Sequence, residues 1–148
     1  MHGAGGRRSI WKGLAIRRCR SGATAAEFAL VMPLMTAMLF GIIEFGTIFF
    51  SYSAMQLQAS RAARAVAVNT TADGAAAAAA RAQLPGWMRS TATISITQTA
   101  PGDPNTNLIR VRVASPSNQA TPIPILSAMV PWQLNADVTI KQELPYVD

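Results

Sequence analysis

The chain has 148 residues, half of them hydrophobic but only 7% aromatic, which leaves room for one small domain beside any membrane segment. A formal charge of +6 and a pI near 10.8 would suit a nucleic-acid binder. That class is excluded by where the charge lies: Arg7, Arg8, Lys12, Arg17, Arg18 and Arg20 precede Gly22 with no acid among them, and beyond it bases and acids cancel.

Residues 1–22 therefore read as a basic cytoplasmic leader, because Lys and Arg beside a membrane span stay on the cytoplasmic side. The lone cysteine, Cys19, and the lone histidine, His2, both fall in it. No disulfide, histidine-based triad or metal centre is expected in the remainder. Cys19 sits between two arginines and ahead of the apolar run, which does not suit a lipid-attachment site.

From Phe28 to Phe50 the sequence is apolar apart from Thr36, Glu44 and Thr47. A helix over these positions rises roughly 34 Å at about 1.5 Å per residue, enough for a hydrocarbon core of about 30 Å. A cleaved secretory signal would have an apolar region of only about 7 to 15 residues. The span is assigned to residues 23–52, with the amino end cytoplasmic and everything beyond about Ser51 exported. Pro33 implies either a mild kink or a flexible point, both tolerated within a membrane. Ala37 and Gly41 are four apart and permit a second helix to approach closely.

Two carboxylates in this run need a reason, since ionisable groups inside a bilayer are costly and usually functional. Glu27 either complements the positive end of the helix dipole or serves assembly. In the second reading a cut after Gly22 frees the amine of Ala23, and Glu27 becomes the fifth residue of the mature chain. Amine and carboxylate would then pair between neighbouring subunits. Glu44, about 24 Å along a helix begun at Phe28, lies toward the outer face. As a second intramembrane carboxylate it contacts a different partner helix or reaches the headgroups.

The run Arg20-Ser21-Gly22-Ala23-Thr24-Ala25-Ala26-Glu27-Phe28-Ala29-Leu30, with Pro33 behind it, resembles the start of TadE-like proteins of the tight-adherence (Tad, or Flp) pilus system. Gly41-Ile42-Ile43-Glu44-Phe45-Gly46 and Ala59-Ser60-Arg61-Ala62-Ala63-Arg64-Ala65 are similar to later parts of the same pattern. The resemblance implies a pseudopilin, or minor pilin, cut between Gly22 and Ala23 by a prepilin peptidase. Glu27 then acts as the assembly carboxylate, with Phe28 beside it where major pilins of the system usually carry Tyr. Implied partners are other Tad pilins and pseudopilins, the inner-membrane Tad platform and the lipid bilayer, with no nucleic acid and no cofactor. The implied setting is the bacterial inner membrane, crossed once, with the C-terminal domain periplasmic and entry into a pilus open.

Residues 53–88 continue as a helical extension and a second helix. Met55, Ala59, Ala62, Ala63 and Val66 share a face, with Gln58, Arg61 and Arg64 mostly off it. One helix could thus run from about Ala23 to Val68. Asn69 to Gly74 reads as a break with Asp73 or a Thr as cap, and Ala75 to Leu84 as an alanine helix stopped by Pro85-Gly86. Residues 89–148 switch to a period of two. Ala92, Ile94 and Ile96, then Ile109, Val111 and Val113, then Leu134, Ala136, Val138 and Ile140 alternate with polar residues. The expected fold is α+β: a long N-terminal transmembrane helix extending into a small exported domain, with a short helix and an antiparallel sheet of about three strands.

The proline-bounded stretch from Thr121 to Trp132 holds either a short helix over the sheet or an exposed contact loop. Trp87 and Trp132 suit the core or the membrane edge, and Asp103 suits a turn. No phosphate loop, metal cluster, nucleophile elbow or catalytic carboxylate pair appears, and no enzyme is expected. Two further readings stay open: an uncleaved signal-anchored envelope protein with a small periplasmic protein-binding domain, and an adhesin at a filament tip.

Overall fold

The computed structural model describes residues 20–143. Its first element is one helix, α1 (Arg20–Ala67), which Pro33 interrupts nowhere. The boundary between two compact units falls inside it, at Met35 and Thr36. In the first unit, residues 24–35 are exposed throughout, Phe28 and Leu30 among them. The second unit thus begins within the stretch that hydropathy alone assigns to the span.

In that second unit, α1 carries the expected buried face: Met55, Ala59, Ala62, Ala63 and Val66 are all within the core. The helix stops by a left-handed residue rather than by glycine. Asn69 takes φ 54°, its N–H bonds Val66 O at 3.0 Å and the Thr70 N–H bonds Ala65 O at 3.1 Å. This reciprocal pattern satisfies the last carbonyls of the helix, and Asn is one of the few side chains that accepts the conformation.

The second helix, α2 (Asp73–Ala82), buries Ala76 and Ala80 in the core that holds Ala62 and Ala63 of α1. Asp73 does not cap it. The N-cap is Ala72 with no side-chain bond, and the Asp73 carboxylate instead accepts Gln98 Nε2 at 2.9 and 3.1 Å. Leu84, placed by sequence at the helix end, lies beyond it and is fully buried.

The sheet has the order β1 (Thr93–Gln98), β2 (Leu108–Pro116), β3 (Gln133–Lys141), all antiparallel. Ile109, Val111 and Val113 of the central strand are wholly buried, and Leu134 and Ala136 of β3 flank them. The opposite face is polar, with Arg112 Nε bonded to Asp137 at 3.0 Å across β2 and β3. Alternation with a period of two supplies one apolar face, and the alanine-rich helices are what it covers. The α+β expectation and all three strands hold.

Between β2 and β3 the chain makes an excursion containing a 3-10 turn (Ser117–Gln119) and a one-turn helix, α3 (Leu126–Met129). It does not lie over the sheet. It runs along α1, where it meets the polar side chains of that helix.

Candidate functional site

Glu44, Thr47 and Ser51 follow one another at spacings of three and four, so they form one polar stripe on α1. The stripe continues the buried face of Met55 and Ala59 toward the N-terminus. Each member is bonded to the excursion. Ser51 Oγ donates to Ala120 O at 2.6 Å, and Trp87 Nε1 donates to both of those oxygens at 3.2 Å. Thr47 and Thr121 share a hydroxyl–hydroxyl bond of 2.8 Å.

The Glu44 carboxylate is the end point. Its Oε2 accepts the N–H of Ile125 at 3.1 Å and of Leu126 at 2.7 Å. Its Oε1 accepts the N–H of Ser127 at 2.8 Å and the Ser127 hydroxyl at 2.5 Å. Four donors converge on an acceptor-only group, and they include the N–H groups that a helix start leaves unpaired. Only 2% of Glu44 is exposed, and Ser127 is fully buried. A buried charge costs several kcal/mol unless its oxygens are satisfied, and here all the acceptor capacity in use is met by one segment of the same chain.

This answers the question the apolar run posed about Glu44: its partner is the excursion rather than a second helix or a headgroup. Gly41 lies beside the same segment: a Cβ placed there would stand 3.5 Å from Leu126 Cδ1, an ordinary contact distance. Ala37, four residues earlier, is exposed. The neck of the excursion is closed by Ser117 N–H to Trp132 O at 2.8 Å and by Trp132 N–H to Ser117 Oγ at 3.0 Å. Trp132 stacks on Phe45 with ring centroids 6.3 Å apart.

The other candidate residues, Gly22, Ala23, Glu27, Phe28 and the basic residues ahead of them, all precede Thr36, where the second unit begins. Gly22 and Glu27 are helical and exposed, and Phe28 beside Glu27 is 60% exposed. Arg7, Arg8, Lys12, Arg17 and Arg18 lie outside the described residues, as do the side chains of Arg20 and Ala23. Sequence reading missed Thr47, Ser51, Thr121 and Ser127. The signal that could have found the first two was present: a polar stripe in register with the apolar face below it.

Among the described residues, no cluster of three or more His, Cys, Asp or Glu is placed to hold a metal ion. What fold and site define is a small α+β domain built onto a single helix, a helix long and apolar enough to cross a membrane. The model of the TadE-like protein family matches residues 22–64, all of them within α1. Over that helix the chain is similar to TadE-like proteins, in agreement with the resemblance of its motifs. No curated protein and no solved structure matches the chain.

Proposed function

We propose that the protein is a minor pilin of a tight-adherence pilus, cut between Gly22 and Ala23 by a prepilin peptidase and acting in assembly of the filament. The observation that carries this reading is the TadE-like match, which starts at Gly22, the residue before the proposed cut, and follows α1 through Arg64. Glu27 stands exposed on an apolar helix surface with Phe28 and Leu30. In a bilayer such a carboxylate needs a cation, and the freed amine of Ala23 on an adjacent pilin supplies one at a similar depth. Neither charge is equally well served in a lone helix, so the pair favours packing in register.

The basic residues ahead of Gly22 hold the amino end in the cytoplasm before cleavage, and the α+β domain then faces the periplasm. Partners follow from that placement: the peptidase, other pilins and pseudopilins, the membrane platform of the system and the bilayer. The role is structural rather than catalytic.

The mature amino terminus tests the first step. Mass spectrometry of protein from piliated cells is expected to start at Ala23. An intact precursor as the sole species would favour an uncleaved anchor instead. Glu27→Gln is expected to leave cleavage intact and reduce piliation, whereas normal piliation would remove the pairing step.

A further inference from the structure

We infer that the excursion from Thr121 to Trp132 is an interfacial wedge, seated in the lipid of the leaflet that the outer end of α1 crosses. The inference rests on reading α1 as the membrane span. Its force comes from bonding: Glu44, Thr47 and Ser51 tie the 125–127 backbone, Thr121 and Ala120 alongside the helix. These α1 positions are the outer half of the apolar run. Phe40, Ile42, Ile43, Phe45 and Phe49 between and beside them are exposed. Those side chains cannot enter lipid without taking the excursion to the same depth.

The excursion is made for that depth. From Val113 to Ala136 the sequence contains no charged residue. Its outward side chains are apolar, with Met129 78% and Val130 69% exposed and Ile123 exposed beside them. Most of its backbone donors are met within the protein: the N–H groups of residues 125–127 go to Glu44, those of Ile123, Val130 and Trp132 go to Thr121 Oγ1, Leu126 O and Ser117 Oγ, and Pro122, Pro124 and Pro131 have none to satisfy. Irregular backbone is tolerated at membrane depth only when its polar groups are met within the protein. Next to it, Phe45, Ile48, Phe49, Tyr52, Trp132 and Leu134 line an apolar groove of about 220 Å³ that is continuous with the same surface. Trp132 and Tyr52 are side chains of the kind that settle at the headgroup level. Lipid, which the adjoining helix surface already requires, is therefore the occupant.

The test uses the full chain with Cys19→Ser, reconstituted at low protein-to-lipid ratio in vesicles of phosphatidylethanolamine and phosphatidylglycerol. Single cysteines at Met129→Cys, Leu34→Cys and Ser95→Cys carry an environment-sensitive fluorophore. The lipid acyl chains carry a spin-label quencher, and iodide serves as the aqueous quencher. The wedge predicts blue-shifted, lipid-quenched emission at 129 as at 34, and iodide-quenched emission at 95. A lipid-buried label at 34 with an iodide-quenched label at 129 overturns the wedge and leaves the span standing. Aqueous emission at 34 means that the span reading has failed, and the wedge falls with it. A label at 129 shielded from both quenchers, in proportion to protein density, assigns this face to a second copy and also overturns the wedge.

Discussion

Replacing Glu44 by Gln keeps the shape of the side chain and removes half of its acceptor capacity. The carboxylate serves two donors on each oxygen. In the least damaging orientation the amide oxygen keeps Ile125 and Leu126, and the NH₂ group faces Ser127, whose hydroxyl can rotate to accept while its N–H is stranded. One buried unsatisfied donor costs about 1–3 kcal/mol, and two bonds that lose their charged partner weaken by about 1 kcal/mol each. The expected loss is about 3–5 kcal/mol, a large share of the roughly 5–15 kcal/mol that holds a domain together. It is concentrated on α3, so the first consequence is local opening.

Hydrogen exchange in detergent micelles reads it directly. Amides of residues 125–127 are expected to exchange about 100-fold faster or more in Glu44→Gln, since about 1.4 kcal/mol corresponds to a factor of ten. Amides of Val111 and Val113 are expected to change less. Ser127→Ala removes one donor and is expected to cost about 1–2 kcal/mol, and in the double variant the two losses are not additive. Exchange at residues 125–127 that stays at the parent rate in Glu44→Gln would refute the latch, and with it the account of why an acid sits in this helix. Glu27→Gln is the control: it is expected to leave these amides and the domain's stability unchanged.

Three other outcomes follow from the geometry. Asn69→Ala must hold φ 54° without an amide side chain and is expected to lower stability by about 1 kcal/mol, while Asn69→Gly is neutral or slightly stabilising; denaturant midpoints measure both. Met55→Ala empties a fully buried position between α1 and the rest of the core, with an expected loss of about 2–5 kcal/mol in the same assay. The Thr106 hydroxyl and the Asn105 N–H donate to Asp103 and hold its carboxyl below the ordinary carboxylate range. Its contribution is therefore complete above the unfolded-state value and is lost as pH falls through the lower folded one. Asp103→Asn is expected to flatten that acid limb, which denaturant midpoints at neutral and acidic pH resolve.

Much of this architecture was legible because its causes are local. The face of Met55, Ala59, Ala62, Ala63 and Val66 repeats every three or four residues, and the strands alternate every two. Both patterns follow from which way successive Cβ atoms point. The break after α1 was legible from Asn69 to Gly74, although its agent is the left-handed Asn69 and Asp73 turned to Gln98 instead of capping. The stretch from Thr121 to Trp132 was ambiguous for a physical reason. Four helical residues carry no period, and prolines permit a turn or a loop equally. The domain's N-terminal limit was hidden for another. Hydropathy scores Gly41 to Ser51 by apolar content and cannot register that its few polar groups share one face.

The sequence alone determined a basic stretch before Gly22, a long apolar helix with a TadE-like motif, an alanine helix and three amphipathic strands, since charge, hydropathy and period are properties of neighbouring residues. Only the tertiary structure decided what Glu44 is for. Its donors lie 81 to 83 residues away, and the bonds form because two strands of fixed register return the chain to α1 at that height. An acid in an apolar helix announces that it needs a partner, but which partner it has depends on where the rest of the chain comes back.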